Sequence, residues 1–408
     1  DPTPTRTVSP VPPTLPHLGS QAFQDDPAAA IRSLHADTET RVYQHPFGPE
    51  LVVTAYGDLQ EVLKHPRMQA QDRQDRSSGP SQAGALAQLF DHHPVFMNEP
   101  QHRPTRLAAT AAIGVDRREW IDIQVREISE ELIHGLRKNG GGDLITDFAF
   151  ALSSRLWCRI LALPDTEAPV LQECARGIAG VLEFQASPTV VDGADEAAAT
   201  LIAVLKNGRD RKTNTPIAES LVAEKLQSVA DLGTLNAAGN LLASLTFDAI
   251  DGAGGMTGNF LYCLLTEPEA LLHLKGSTAE IGAYWTEAAR LHPPLLGLFR
   301  CPTEDLSFDG FSLAKGQNVL TLNAAGNRDP QIFPRPDAYE PHRPQNRPLS
   351  FGFGSRGCIG RFLASREGEI AVAMLLSALP GLELVSSEFH WGQPSLLRAV
   401  QSLPVAVN

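Results

Sequence analysis

Cys358 stands in the string Phe351-Gly-Phe-Gly-Ser-Arg-Gly-Cys358-Ile-Gly360-Arg361, between an irregular stretch and an amphipathic helical pattern. A cysteine sulfur that binds a metal must stay deprotonated, and nearby positive charge and backbone N–H donors favour that state. Such donors reach the sulfur only where the backbone bends tightly, which glycine permits. Gly352, Gly354, Gly357 and Gly360 supply that freedom. A helix opening just after Cys358 turns its N-terminal amides and positive dipole end toward the sulfur. Phe351 and Phe353 are placed to shield it from water, which tunes the potential of a bound metal. The plain alternative is a glycine-rich turn around an inert, buried cysteine. One cysteine beside one glycine would favour that alternative; the whole string does not.

The other cysteines, Cys158, Cys174, Cys263 and Cys301, are widely spaced and form no CxxC pair. With an odd total, a disulfide framework or structural zinc site is disfavoured, and reduced thiols in a cytoplasmic protein fit better. At most one of the five carries special chemistry, and the rest read as small buried hydrophobes. The net charge of −13 argues against broad binding to nucleic acid or an anionic membrane. Hydrophobic residues at 42% and charged residues at 20% match a soluble globular protein. The proline-rich opening DPTPTRTVSPVPPTLP reads as neither signal peptide nor anchor. No apolar run reaches the ~18 residues that a spanning helix needs.

The elements that must position Cys358 are mainly helical, with a small β portion. Residues 1–20 read as an extended N-terminal arm, and 21–408 as a single catalytic domain with no internal repeat or splitting linker. A short capped helix covers 26–35. A hairpin turns at Pro46-Phe47-Gly48-Pro49, and a helix after it stops at Pro66. Residues 69–95 form a long polar loop holding one short helix, a length usually tied to function or disorder. Helical periodicity marks 117–138, 144–162, 168–183, 193–207, 216–229, 234–263, 267–274 and 278–291. Residues 303–325 turn to strand character and 326–357 are irregular. A strong helix covers 359–378, and short strands close the chain.

FGFGSRGCIG resembles the heme-binding signature of the cytochrome P450 family, Phe-x-x-Gly-x-x-x-Cys-x-Gly with a basic residue two before the cysteine. Phe351, Gly354, Arg356, Cys358 and Gly360 match it. Glu287-Ala-Ala-Arg290, followed by Leu-His-Pro-Pro, resembles the family's E-x-x-R helix. On a helix these two side chains share a face. Asn327-Arg328-Asp329-Pro330 through Tyr339 resembles the segment that pairs with it, and Arg343 is the third member of that scaffold triad. His102 and Arg106, four apart at a helix start after Phe96-Met97, resemble the family's heme-propionate pair. Arg300 and Arg356 stand where the family has further propionate-binding arginines. The resemblance covers nearly the whole chain. It implies a cytochrome P450-like fold, heme b (iron protoporphyrin IX) as cofactor and Cys358 as iron ligand, with Phe351, Gly352 and Gly360 in the cofactor loop.

The long helix across the heme departs from the family pattern Ala-Gly-x-(Asp/Glu)-Thr. Here it reads Phe247-Asp248-Ala-Ile-Asp251-Gly252-Ala253-Gly-Gly-Met256-Thr257. Matching letters keeps Thr257 and puts Met256 at the acid. Counting back without a gap from Glu267-Pro268-Glu269 puts Ala253 at the threonine place and Gly252 at the acid. The 19 residues from Pro268 to Glu287 are normal for the family, so the ungapped register is preferred. In either register the usual acid is missing, because neither methionine nor glycine carries a proton. Asp251 or Asp248 can substitute, although an outward-facing polar residue is the commoner explanation for each. The glycine cluster at 252, 254 and 255 is expected to loosen the helix, or to make room above the iron. The proton-delivery candidates are thus Ala253, Thr257 and Asp251.

The resemblance implies a monooxygenase acting on a small organic molecule in secondary metabolism. A ferredoxin or flavodoxin-type donor and its reductase would supply the electrons, since no reductase domain is fused. Two alternatives stand beside it. One is a heme-thiolate enzyme with atypical chemistry: ring coupling, nitration, peroxide use or rearrangement. The other is a heme sensor without turnover. The expected substrate walls are 69–97, 178–190, 245–257, 294–299 and 392–398, a mixture of apolar and polar side chains that suits a mid-sized, partly polar molecule.

Overall fold

Residues Leu235–Thr266 form one unbroken helix through the middle of the molecule. Its sequence is apolar on almost every side, the pattern of a helix with no solvent face. It ends where Glu267 precedes Pro268, a pairing that disfavours helical geometry, and Pro268 then opens the next helix, Pro268–Gly276. In this computed structural model the described residues are 14–15, 17–36, 42–48, 50–70, 84–207 and 235–407. The helix expected at 216–229 and most of the expected arm at 1–20 lie outside them.

Around the central helix pack Phe150–Ile160, Ala168–Ala179, Pro188–Asn207, Ile281–Leu291 and Arg361–Ala378, and Arg118–Asn139 packs in turn on the first and last of these. Arg118–Asn139 stops at Gly140, whose φ of 71° is the left-handed geometry of a helix C-terminus. The region expected as one helix at 144–162 is a π-helical turn, Leu144–Ala149, continued by Phe150–Ile160. The glycines expected to loosen the central helix instead bring neighbours close. A Cβ on Gly254 would lie 3.0 Å from the Phe150 ring, and one on Gly255 3.3 Å from Ala399. Gly252 alone of the three faces open space.

The β portion is a five-stranded sheet, in the order Val42–Gln44, Leu51–Val53, Val319–Thr321, Leu298–Pro302 and Met68–Gln69. The first two strands form the expected hairpin. Leu51–Val53 runs parallel to Val319–Thr321, and the other pairs are antiparallel. The strand Leu298–Pro302 begins before the predicted β region and carries Arg300 opposite Val319. A three-stranded sheet joins Gly141–Asp143, Pro404–Val407 and Leu382–Leu384.

The expected scaffold triad is present, with Glu287 and Arg290 fully enclosed and Arg343 half-buried. Arg290 donates through Nε and Nη2 to both Glu287 carboxylate oxygens, each at 2.8 Å. Arg343 Nε donates to Glu287 at 2.9 Å. The remaining Arg290 donors reach the carbonyls of Asn327, Pro336 and Ala338, so the guanidinium ties helix Ile281–Leu291 to the irregular 327–343 stretch. Burial alone would push the Glu287 carboxyl up, but the two arginines hold it below its ordinary value. With every charge hydrogen-bonded, the group holds together, and loss of one partner would strand the others.

Candidate active site

Two of the four loop glycines take the geometry expected of them, while Gly357 and Gly360 have ordinary negative φ. Gly352 has φ 69° and Gly354 φ 70°, backbone geometry that other residues rarely adopt. The turn closes when the Cys358 N–H donates to the Phe351 carbonyl at 2.7 Å. The last long helix then starts at Arg361, with Gly360 as its cap. The backbone N–H groups of Gly360 and Arg361 pull the Cys358 thiol pKa down, as does the charge of Arg106. Burial outweighs them and pushes it up to about 11. The residue nonetheless keeps accessible surface. It therefore sits at the floor of a recess, hemmed in by protein yet facing open space. Cys158, Cys174 and Cys263 are buried, and burial pushes each thiol above its ordinary range. Cys301 is half-buried.

Four cationic or potentially cationic side chains gather near the same loop. His102 and Arg106 lie in the first turns of helix His102–Ile113. Arg356 donates to the Met97 carbonyl at 2.9 Å and to Asn98 Oδ1 at 3.0 Å. Asn98 in turn accepts the His102 N–H at its carbonyl, so one residue fixes both the loop arginine and the helix start. Arg300 is almost wholly buried; its Nε has no partner, and its Nη1 reaches only the Phe299 carbonyl. Burial, then the charge of Arg356, lowers Arg300 to about 10. Burial, and to a smaller extent Arg106, lowers Arg356 against the pull of Glu99. Burial and both of these arginines lower His102, against the opposing pull of Glu99. Among the described residues, none of the three arginines forms an ion pair with a carboxylate. The mutual repulsion of these cations would be relieved by an anion placed among them.

The opposite side of the recess is the central helix. From Gly239 to Leu261 every residue is buried except Asp248, Ala249, Asp251 and Gly252. This uncovered window is linked to the cysteine loop by the segment His93–Asn98. His93 Nε2 lies 3.6 Å from Asp248, while Met97 and Asn98 hold Arg356. Asp251 is at the window; burial, then the nearby Asp248, raises its carboxyl to about 7. Ala253 is buried at the window's edge. Thr257 is elsewhere. Nine residues past Asp248, it lies about 180° around the helix. Its Oγ1 is buried without a partner, 3.5 Å from where a Gly368 Cβ would stand on the last long helix.

The segments expected as substrate walls converge. Phe90 and Phe96 pack together at 4.9 Å, and Phe90 lies 6.2 Å from Phe247 of the central helix. Phe184 N–H donates to Pro394, and Leu396 N–H to Leu182. Leu296 N–H donates to Leu396, and Arg398 N–H to Pro294. Segments 182–184, 294–296 and 394–398 are thus one hydrogen-bonded wall. Residues 71–83 of the expected 69–97 wall are outside the described residues. Sequence reasoning missed Trp285, whose ring stacks on Phe351 at 5.3 Å and 17°.

The Cytochrome P450 family profile matches residues 283–380, from the E-x-x-R helix through the cysteine loop and the whole of the last long helix. The Biotin biosynthesis cytochrome P450 of Bacillus subtilis is 28% identical over 357 residues, 88% of this chain and 90% of that protein. The crystal structure of P450BioI with a fatty-acyl carrier protein superposes with a TM-score of 0.87 at 27% identity, over 95% of this chain and 100% of that one. This chain belongs to the cytochrome P450 family. Cytochrome P450-SU2 of Streptomyces griseolus is 27% identical across 98% of both chains, so the likeness is not confined to the cysteine region. This P450 has the family's fold, and its reaction class is that of a heme-thiolate monooxygenase. Among the described residues, no helix is long and apolar enough to cross a membrane.

Proposed function

We propose that Cys358 is the axial ligand of heme b and that His102, Arg106, Arg300 and Arg356 hold its propionates. The observation that carries this reading is the exposed Cys358 beside three arginines, Arg106, Arg300 and Arg356, that form no ion pair with a carboxylate among the described residues. Iron protoporphyrin IX fits both halves: a soft thiolate suits the iron, and its two carboxylates suit the arginines. Orphaned Arg300 Nε is one donor that such a carboxylate satisfies. Phe351, Gly352 and Gly360 shape the loop and limit water at the sulfur. When bound, the heme supplies dioxygen activation and transfer of one oxygen atom to the substrate.

The chain's own residues bind and orient the substrate and deliver protons. In the ungapped register the window on the central helix offers Gly252 and Ala253 where the family has an acid and a hydroxyl. Asp251, with its carboxyl near 7, can hold and release a proton at neutral pH and is our candidate for that step. The enclosing walls join Phe90, Phe247 and Leu296 to polar backbone, which suits a mid-sized, partly polar organic molecule. Relatives include the Mycinamicin IV hydroxylase/epoxidase of Micromonospora griseorubida and the Pentalenic acid synthase of Streptomyces avermitilis; by analogy we place this enzyme in secondary-metabolite tailoring. It would work in the cytoplasm as a single catalytic domain over 21–408, preceded by an arm, with electrons from a ferredoxin or flavodoxin-type donor and its reductase.

The test is reconstitution. A compound panel is screened for binding-induced Soret shifts, and hits are incubated with NAD(P)H, a ferredoxin and its reductase under labelled dioxygen. Product carrying one labelled oxygen atom is the expected result. A Cys358→Ala protein that keeps the red-shifted ferrous–CO band would overturn the ligand assignment. The missing acid and hydroxyl at 252 and 253 favour one second reading, atypical heme-thiolate chemistry, which predicts product without incorporated oxygen or with peroxide alone.

A further inference from the structure

We propose that Trp285, seated against Gly368, is a positioning residue. It fixes Phe351, and through Phe351 the Cys358 loop, and so sets the reduction potential and the ligation state of the bound heme. The inference rests on the reading of Cys358 as the heme ligand. Trp285 is on helix Ile281–Leu291 and is buried. Its indole lies 5.3 Å from the Phe351 ring at 17°, within the range of an offset aromatic stack. The guanidinium of Arg361 stands 5.5 Å from the same ring. The Phe351 ring is thus contacted by an indole and by a cation. That one residue also carries the carbonyl that accepts the Cys358 N–H at 2.7 Å. Movement of Phe351 therefore moves the backbone that orients the sulfur.

The indole can occupy this place only because residue 368 is glycine. A Cβ there would lie 2.7 Å from Trp285 Nε1 and 2.9 Å from Cδ1, closer than real contacts allow. Gly368 is in the interior of helix Arg361–Ala378, a position where glycine weakens a helix. The arrangement has a second cost. Trp285 Nε1–H is buried with no acceptor, although a buried indole N–H ordinarily finds one. Thr257 Oγ1, beside the same point, is also unpartnered. A smaller apolar side chain facing alanine would fill this core without either cost. What the tryptophan adds is a broad flat face against Phe351.

The experiment uses the heme-loaded protein and the variants Trp285→Val, Trp285→Phe, Gly368→Ala and the double variant Trp285→Val/Gly368→Ala. Three quantities are measured on each: the ferrous–CO spectrum, the reduction potential and the melting temperature. Trp285→Val and Gly368→Ala are expected to shift the potential in the positive direction, because water and donors gain access to the sulfur. Both should convert part of the red-shifted CO band into the band of the neutral-thiol complex. Trp285→Phe keeps an aromatic face and stays near wild type in potential and CO band. The double variant regains the melting temperature lost in Gly368→Ala, since the clash is gone, yet keeps the shifted potential. If Trp285→Val and Gly368→Ala melt lower but retain the wild-type potential and CO band, the ring is packing only and the proposal is overturned. A wild-type protein with no red-shifted CO band at all would instead sink the heme-thiolate reading beneath it.

Discussion

A thiol that burial pushes to about 11 does not ionise at neutral pH by itself, and a bound cation deprotonates such a group outright. The surrounding arginines cannot do so alone, for burial outweighs their field. Their role is at the other charge of the cofactor. Replacing Arg300 and Arg356 together by alanine is expected to speed heme loss at least tenfold, as two charge-assisted contacts are worth more than about 1.4 kcal/mol. Transfer of heme to apomyoglobin measures this, and an unchanged rate would remove both from the propionate site. A second residue-scale prediction concerns Glu367. It is wholly buried, accepts a hydrogen bond from Ser153 and leaves Oε2 unpartnered. Burial raises its carboxyl to about 8, above the ordinary value near 4.3. The folded state thus binds a proton more tightly than the unfolded chain. Its contribution is fully present below pH ~4 and is lost as pH rises toward 8. Glu367→Gln should flatten that slope, raising stability by a few kcal/mol at pH 9 relative to pH 5. Denaturant titrations at the two pH values would show it, and parallel changes in both proteins would refute it.

The central helix shows why some of this was hard to read from sequence. Its segment facing the recess is buried on all sides but one short window, so apolar periodicity had no phase to display. The register of its oxygen-side residues therefore rested on counting back from Pro268. We read the unbroken helix, with Thr257 against Gly368 and Asp251 at the window, as supporting the ungapped count. The measurable consequence is coupling of NAD(P)H consumption to product. Asp251→Asn should lower product formation about 10-fold or more, in the range of lost acid–base assistance, whereas Thr257→Ala should leave coupling near wild type. Peroxide release rising only in Thr257→Ala would return that hydroxyl to the oxygen side. The cysteine loop, by contrast, was legible because its chemistry demands glycines and a helix start within a dozen residues. So was the Glu287 pair with Arg290, one turn apart. Trp285 was not: a tryptophan in a helical pattern reads as core, and its glycine partner lies on another helix. The strand of Arg300 was missed because its residues continue a run of leucines after two prolines, with no turn to mark its start.

At the scale of the whole molecule the first described helix is clamped to a segment near residue 398. Arg398 donates to the carbonyls of Gln24 at 2.6 Å and Asp25 at 3.0 Å. It also contacts His292 Nδ1 at 2.9 Å and stacks 3.4 Å over Trp391. Burial, then Arg328, lowers its pKa to about 9, so it remains charged at neutral pH. Arg398→Ala strands the buried Gln24 carbonyl and removes the contacts with Asp25, His292 and Trp391, and should cost about 3 kcal/mol. The urea midpoint should fall with an unchanged slope, the sign of lost stability rather than a changed unfolded state. A fall in slope would mean that the first helices detach separately, against a single domain.

The parallel pairing of Leu51–Val53 with Val319–Thr321 has a consequence in time. The partners are separated by 319 − 51 = 268 residues. At ribosomal rates the second strand emerges roughly ten seconds to a minute after the first. Throughout that interval Val52 and Val53, both fully enclosed in the finished protein, belong to a hairpin with one bare edge. The nascent chain must keep that edge from pairing with a neighbour's, and any product terminated before Val319 carries it permanently. Synthesis slowed between the two strands lengthens the exposure, and a fragment comprising the first 300 residues is expected to self-associate through that edge rather than act as a smaller enzyme.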